Sequence, residues 1–231
     1  MFMNHRRAGR LALGALLGGV VMLLLVAVPL TFRAVQAVDD EFREVMVSLR
    51  VTPLVWLAEA LAFLGGVWVN WPLRVVTAVV LAARRRWVQL GAFAGAVVTS
   101  EALIGPLKAL YARPRPPDGV IATHGFSFPS GHAVAGAVTA MGLVVVLLHP
   151  GPRRWAWEVR AAVFASMMAL SRTYLSVHWL SDVVAGGLLG VGLAVGWPAL
   201  LQHLRDVHLP RRRAAGSVVA SGPPGRETPS G

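Results

Sequence analysis

The chain contains no cysteine. That excludes a disulfide scaffold, a zinc–thiolate site and a cysteine nucleophile, and it leaves the redox compartment open. Charge is scarce too: 14% of the 231 residues are Asp, Glu, Lys or Arg, against roughly 25% in an average soluble domain. Together with 55% hydrophobic residues and a mean hydropathy of +0.61, this excludes an ordinary soluble globule and a disordered chain. Lysine is almost missing. Of 22 basic residues, all but Lys108 are Arg. Acidic residues number 11, which leaves a net charge of +11. The length holds about six membrane spans of roughly 20 residues with short loops.

Long apolar runs are what the chain has instead. Leu11 to Phe32 carries no charge and is long enough to cross a bilayer. Small residues at Ala34-Val35-Gln36-Ala37 resemble a cleavage site, but the apolar run exceeds the roughly 7–15 residues of a signal peptide. The segment is read as an uncleaved first span. Further runs cover 67–83, 88–107, 132–149, 160–175 and 181–201, with Trp68, Trp71, Trp87, Trp155, Trp157 and Trp179 near their ends, where interfacial aromatics belong. Basic clusters fall between alternate runs: Arg6/Arg7/Arg10, Arg84–Arg86, Arg153/Arg154/Arg160, then Arg205 with Arg211–Arg213. Six spans place all four clusters in the cytoplasm. The basic excess is then topological, and a nucleic-acid partner is rejected because no basic reader face exists.

The expected architecture is an all-α polytopic membrane protein with six transmembrane helices. Residues 1–10 form a cytoplasmic N-terminus and 11–201 the membrane domain. Residues 39–44 are too polar to span. Residues 51–66 are apolar, with Pro53 and Glu59, and read either as a span or as a surface helix. A seventh crossing would put Arg84–Arg86 opposite Arg6/Arg7, so an outer amphipathic helix is expected at about 40–66. Residues 202–231 form a basic cytoplasmic tail, disordered over its Gly-, Ser- and Pro-rich part 214–231.

With the N-terminus inside, the outer ends of the spans lie near 33, 67, 108–131 and 172–182. The least expected polar residues gather there. Lys108 offers a compact point charge for a phosphate; by itself it also fits a snorkelling interfacial lysine. Arg113 and Arg115 sit on a stretch stiffened by Pro114, Pro116 and Pro117. Ser130 reads as the N-cap of the span that follows. The free N–H groups of that first turn favour an anion, Gly131 admits a close ligand, and His132 stands ready as a proton donor. His178 and Asp182, at i and i+4 at the start of the sixth span, share one helix face. Asp182 then orients the imidazole of His178, a base-and-orienter pair of nucleophilic catalysis; an ordinary interfacial pair fits as well. Arg172 reaches the same point only if the chain turns near Leu175–Val177.

Taken together these residues resemble the type-2 phosphatidic-acid phosphatase superfamily of membrane lipid phosphatases. The first motif is Lys108 with Arg115-Pro116 after six residues. The second is Pro129-Ser130-Gly131-His132. The third is Ser171-Arg172, His178 and Asp182. All are complete and in order. The resemblance covers 108–182 directly and about 11–201 through the six-span layout, leaving 33–66 and the tail outside. It implies a phosphatase with no cofactor and no metal. In it His178 attacks phosphorus, Asp182 orients and balances it, and His132 protonates the leaving oxygen and then activates water. Lys108, Arg115, Ser130, Gly131 and Arg172 hold the phosphoryl oxygens. Removing such a donor costs roughly 3–4 kcal/mol of transition-state stabilisation. The implied partner is a membrane lipid phosphate such as phosphatidate, phosphatidylglycerol phosphate or a polyprenyl diphosphate. Loop 117–128, with His124 and Phe126, and an apolar groove beside the pocket would select among them. Phosphotransfer to another acceptor, or lipid binding and transport without catalysis, are the alternatives. Oligomeric state is not legible.

One pairing follows from depth alone. Glu101 lies seven residues before Lys108, about 10 Å deeper on one helix, and Arg74 is at similar depth. Ionisable groups so placed pair with one another. An Arg74–Glu101 contact is expected, with Glu101–Lys108 as the alternative.

Overall fold

The computed structural model describes residues 5–208. Within them the chain forms eight helices and no strand, as the apolar periodicity requires. They are α1 (His5–Ala27), α2 (Pro29–Ser48), α3 (Thr52–Leu64), α4 (Val67–Ala83), α5 (Trp87–Tyr111), α6 (Gly131–Leu147), α7 (Pro152–Tyr174) and α8 (Leu180–His208). Four stretches are long and apolar enough to cross a bilayer: Ala8–Ala27, Thr52–Ala83, Trp87–Tyr111 and Leu180–Val207. Gly131–Leu147 is apolar but shorter. Helix α7 carries Arg153, Arg154, Glu158 and Arg160 in its first turns, which lowers its hydropathy.

Three expected boundaries move. The first apolar run does not continue to Phe32: Pro29 ends the ladder of α1 and starts α2 at its N1 position. The amphipathic helix therefore begins well before residue 40 and stops at Ser48. The rest of the expected 40–66 helix is a separate element, α3, entered through Pro53 and continuous in hydropathy with α4 across Gly65-Gly66. Helix α3 is inclined into the bundle. Val51, at its N-cap, donates to Tyr174 Oη, while Gly65 abuts Met168, six residues and about 9 Å further down α7. At the other end, residues 202–208 are helical and extend α8. The expected disordered segment 214–231 lies outside the described residues.

The bundle is glued by small residues because large apolar ones face outward. Leu17, Val76 and Val98 are exposed, as side chains in contact with hydrocarbon should be. Where lipid is as apolar as leucine, close backbone contact drives association. Gly186 and Gly190 of α8 lie so close to α6 that a Cβ on either would sit 2.7 Å from the carbonyl oxygens of Ser130 and Val134. Gly192 takes Leu16 of α1 in the same way. Arg74 meets Glu101 at 2.7 Å and also donates to Thr139 Oγ1 at 2.9 Å, so the depth argument for this pair holds.

One end of the bundle collects the basic clusters. Arg86, Arg154 and Arg205, with Ala8 and His149, line a single cavity of about 640 Å³. The three motif segments lie at the opposite ends of these helices.

Candidate active site

The turn between α7 and α8 builds the centre of the site. Ser176 adopts a left-handed conformation, φ 49°. The chain doubles back so that Val177 and His178 both donate their N–H groups to the carbonyl of Arg172, at 3.1 and 3.3 Å. This is the required turn, and it brings Arg172 to His178. His178 itself precedes α8, so its link to Asp182 is not the side-by-side contact of one helix face. Asp182 is the third residue of α8 and its carboxylate reaches back, as in a capping box. Oδ2 accepts from Trp179 N–H at 2.9 Å and from His178 Nδ1 at 3.2 Å. On the far edge of the ring, Arg115 Nη1 lies 3.3 Å from Nε2. A guanidinium only donates, so Nε2 holds a lone pair and Nδ1 carries the proton. Burial pushes the His178 pKa down to about 4, with Asp182 opposing. The imidazole is neutral at pH 7.

Loop 112–130 supplies the cations. Ala112 ends α5 with φ 43° and releases the proline-rich strand. Lys108 donates to the carbonyls of Phe126 and Ser127 at 2.6 and 3.2 Å. Arg115 donates to those of His124 and Gly125, both at 3.0 Å, and to that of Val177 at 2.7 Å. Four successive carbonyls of the loop thus rest on the two cations. Each cation keeps an unspent N–H.

The second motif closes the pocket. Ser130 caps α6, its Oγ accepting from Ala133 N–H at 3.4 Å, and its own N–H donates to the carbonyl of Asp182 at 3.0 Å. The close pass of Gly186 against Ser130 makes this contact possible. A Cβ on Gly131 would meet Ile104 only at an ordinary 3.7 Å, so packing does not demand glycine there. Arg172, Arg115, Lys108 and His178 all act electrostatically on His132. The sequence-predicted residues Lys108, Arg115, Ser130, Gly131, His132, Arg172, His178 and Asp182 therefore meet at one pocket. Arg172 stands out among them. It is 3% exposed, its Nε is buried without an acceptor, and its guanidinium makes no hydrogen bond to any described residue.

Two residues of this region were missed. Arg113 was grouped with Arg115 but faces the other way, onto Asp182, at 2.9 Å from Oδ1. Asp39, read as part of a polar surface run, is buried against Arg113 at 2.7 Å. Nothing in the local sequence separates Asp39 from its exposed neighbour Asp40.

Comparison with known proteins agrees with the fold. The PAP2 superfamily profile matches residues 89–206. An undecaprenyl-diphosphatase of Sulfolobus acidocaldarius is 42% identical over 65 residues, which is 28% of this chain and 29% of that protein; the match thus spans less than a third of that relative. A decaprenylphosphoryl-5-phosphoribose phosphatase of Mycobacterium tuberculosis is 33% identical over 146 residues, 58% of this chain and 72% of that one. The crystal structure of a transmembrane PAP2-type phosphatidylglycerolphosphate phosphatase from Bacillus subtilis superposes with a TM-score of 0.71 at 25% identity. It covers 87% of this chain and 98% of its own. The profile spans half of this chain, the mycobacterial relative is 33% identical over 72% of its own length, and the Bacillus structure shares the fold: the chain belongs to the PAP2 superfamily.

Proposed function

We propose that the protein is a multi-pass membrane phosphatase that hydrolyses lipid phosphates through a phosphohistidine at His178, without a metal. The observation that carries the reading is Arg172, a buried guanidinium with no acceptor among the described residues, beside two further cations and two imidazoles. An isolated buried charge costs several kcal/mol, and a phosphoryl group bound in this pocket offsets that cost. A donor set of cations repels a divalent metal and suits a phosphate dianion.

The proposed steps are these. The Nε2 lone pair of His178 attacks phosphorus, and the bond to the leaving oxygen breaks. His132 donates its proton to that oxygen. Asp182 holds the Nδ1–H and balances the charge on the phosphorylated ring. Arg172, the unspent N–H groups of Lys108 and Arg115, Ser130 and the Gly131 N–H hold the phosphoryl oxygens. Water then attacks phosphorus, giving a proton to His132. The P–N bond breaks, and phosphate leaves with the lone pair of Nε2 restored.

A lipid substrate is supported by an apolar cavity of about 430 Å³ between α6, α7 and α8. It begins at Ala133 and Leu180, beside His132, and runs to Met141, eight residues or about 12 Å along α6. This suits a hydrocarbon chain better than a soluble phosphate. The proposed topology has six crossings, by α1, α4, α5, α6, α7 and α8, and an outer-face site; the arginine-lined opposite end, which belongs in the cytoplasm, supports it. Phosphatidate, phosphatidylglycerol phosphate and polyprenyl diphosphates are the candidate substrates.

The test is phosphate release from these lipids in detergent with EDTA present, comparing wild type with His178→Ala. Release by wild type alone is expected. Activity that requires Mg²⁺, or that persists in His178→Ala, overturns the reading.

A further inference from the structure

We infer that Asp39 and Arg113 form a positioning pair that holds Asp182 against His178 and preserves its charge, an inference that rests on the phosphatase reading above. Arg113 spends four N–H groups in one plane. Nη1 donates to Asp182 Oδ1 at 2.9 Å and to Ser181 Oγ at 2.6 Å. Nη2 donates to Asp39 Oδ2 and to Gln36 Oε1, both at 2.7 Å. Phe32 and Trp179 flank the guanidinium, each ring centre 5.4 Å away. Its fork is thus fixed in one orientation. Its remaining Nε is buried and has no partner. Arg113 therefore has no exposed donor for a phosphate, unlike Arg115 two residues later, and acts through Asp182.

Asp39 explains why such an arginine does not weaken the site. With Oδ1 of Asp182 held by Arg113, Oδ2 is left to His178 and the carboxylate cannot rotate. Yet a lone Arg113 would neutralise the counter-ion that a phosphorylated His178 needs. Asp39 adds the missing negative charge. Asp182, Arg113 and Asp39 together carry one net negative charge in a buried cluster. Asp39 also caps the start of α8, accepting from Ser181 N–H at 2.8 Å and Ser181 Oγ at 2.6 Å, at the positive end of that helix. Helix α2 is thus part of the candidate catalytic unit. It is braced twice more against the site's loops, by Arg43 on Asp118 at 3.0 Å and, just beyond its end, by Arg50 on the carbonyl of Tyr174 at 3.0 Å.

The experiment compares Asp39→Asn with wild type in the full chain in detergent, using phosphatidate, and follows kcat, KM and the acidic limb of kcat/KM. The groups facing His178 are Asp182, Arg115, Lys108 and Arg172, with His132 across the pocket. None of these changes in the variant. Loss of an orienting partner typically costs about 10–100-fold in activity, and that loss in kcat is expected with KM and inhibition by inorganic phosphate unchanged. The acidic limb moves to lower pH, because one fewer negative charge supports protonation of His178. A simple loss of folded protein would scale the profile without moving the limb. Wild-type kcat with an unmoved limb in a folded Asp39→Asn protein overturns the inference. Should that variant not fold, Arg113→Lys decides, since a point charge cannot bridge two carboxylates in one plane: the same loss in kcat with KM unchanged is expected, the limb stays in place because the charge of the cluster is kept, and wild-type kcat overturns the inference. If neither folds, the pair serves folding and the inference falls. A wild type inactive on every lipid phosphate would instead refute the phosphatase reading.

Discussion

His178 is held on both edges of its ring: Asp182 Oδ2 lies 3.2 Å from Nδ1 and Arg115 Nη1 lies 3.3 Å from Nε2. The second contact cannot survive bond formation to phosphorus, because both claim the same lone pair. In the proposed reaction Arg115 hands its N–H from the imidazole to a phosphoryl oxygen as substrate arrives.

Asp182→Asn tests the tautomer. An amide in place of the carboxylate can present N–H to Nδ1 and move the ring proton to Nε2, where it blocks attack. By analogy with hydrolytic triads, kcat should fall about 10⁴-fold with the fold intact. Phosphate release, with circular dichroism as the control, checks this.

Arg172→Met keeps length and apolar volume but removes the buried charge. A loss of about 10²–10³-fold in kcat is expected, the usual cost of removing one donor to a developing oxyanion. Thermal stability in detergent should be unchanged or higher, since the wild-type cation has no acceptor among the described residues and its burial is costly. Reduced stability with full activity would mean a structural role for Arg172.

Acid should destabilise the protein through His178. Its pKa is about 4 when folded and about 6.5 in the unfolded chain. The unfolded state therefore binds the proton first, and stability falls as pH drops from about 6.5 to about 4. Below that window both states are protonated and this contribution is gone. A melting-temperature series should show the decline, and His178→Gln should flatten it.

Gly186→Val tests the seat of the second motif. The new side chain would collide with the carbonyl of Ser130, already 2.7 Å from an added Cβ, and overpacking of this kind costs about 1–3 kcal/mol. The Ser130–Asp182 backbone bond would be lost with it. Melting temperature and activity should fall together. Gly187→Ala, in open space, should change neither.

Much of the fold was legible because membrane helices announce themselves. Runs near twenty apolar residues and arginines at alternate breaks are set by bilayer thickness and by the cost of burying charge, so α4 and α5 fell close to their expected limits. The Arg74–Glu101 pair was legible for the same reason, since depth along a helix fixes where a charge can find its partner. Pro29 was not given its weight: hydropathy ran on to Phe32, but the missing N–H breaks the helix wherever hydropathy points. The division of 40–66 into α2 and α3 was also hidden, because polarity and apolarity there alternate without one dominant signal.

The sequence by itself named the candidate site: Lys108, Arg115, Ser130, Gly131, His132, Arg172, His178 and Asp182 stand out by residue type, as cations, a cap and two imidazoles suited to an oxyanion, and by the spacing of three motifs that resemble the PAP2 pattern. Only the tertiary structure decided what each of them touches. That Arg113 turns from the pocket while Arg115 lies against His178, and that Asp39 is buried while Asp40 is not, depends on how α2 packs over the start of α8. Contacts between residues more than sixty positions apart leave no trace in local pattern, since each side chain's partner comes from another segment of the chain.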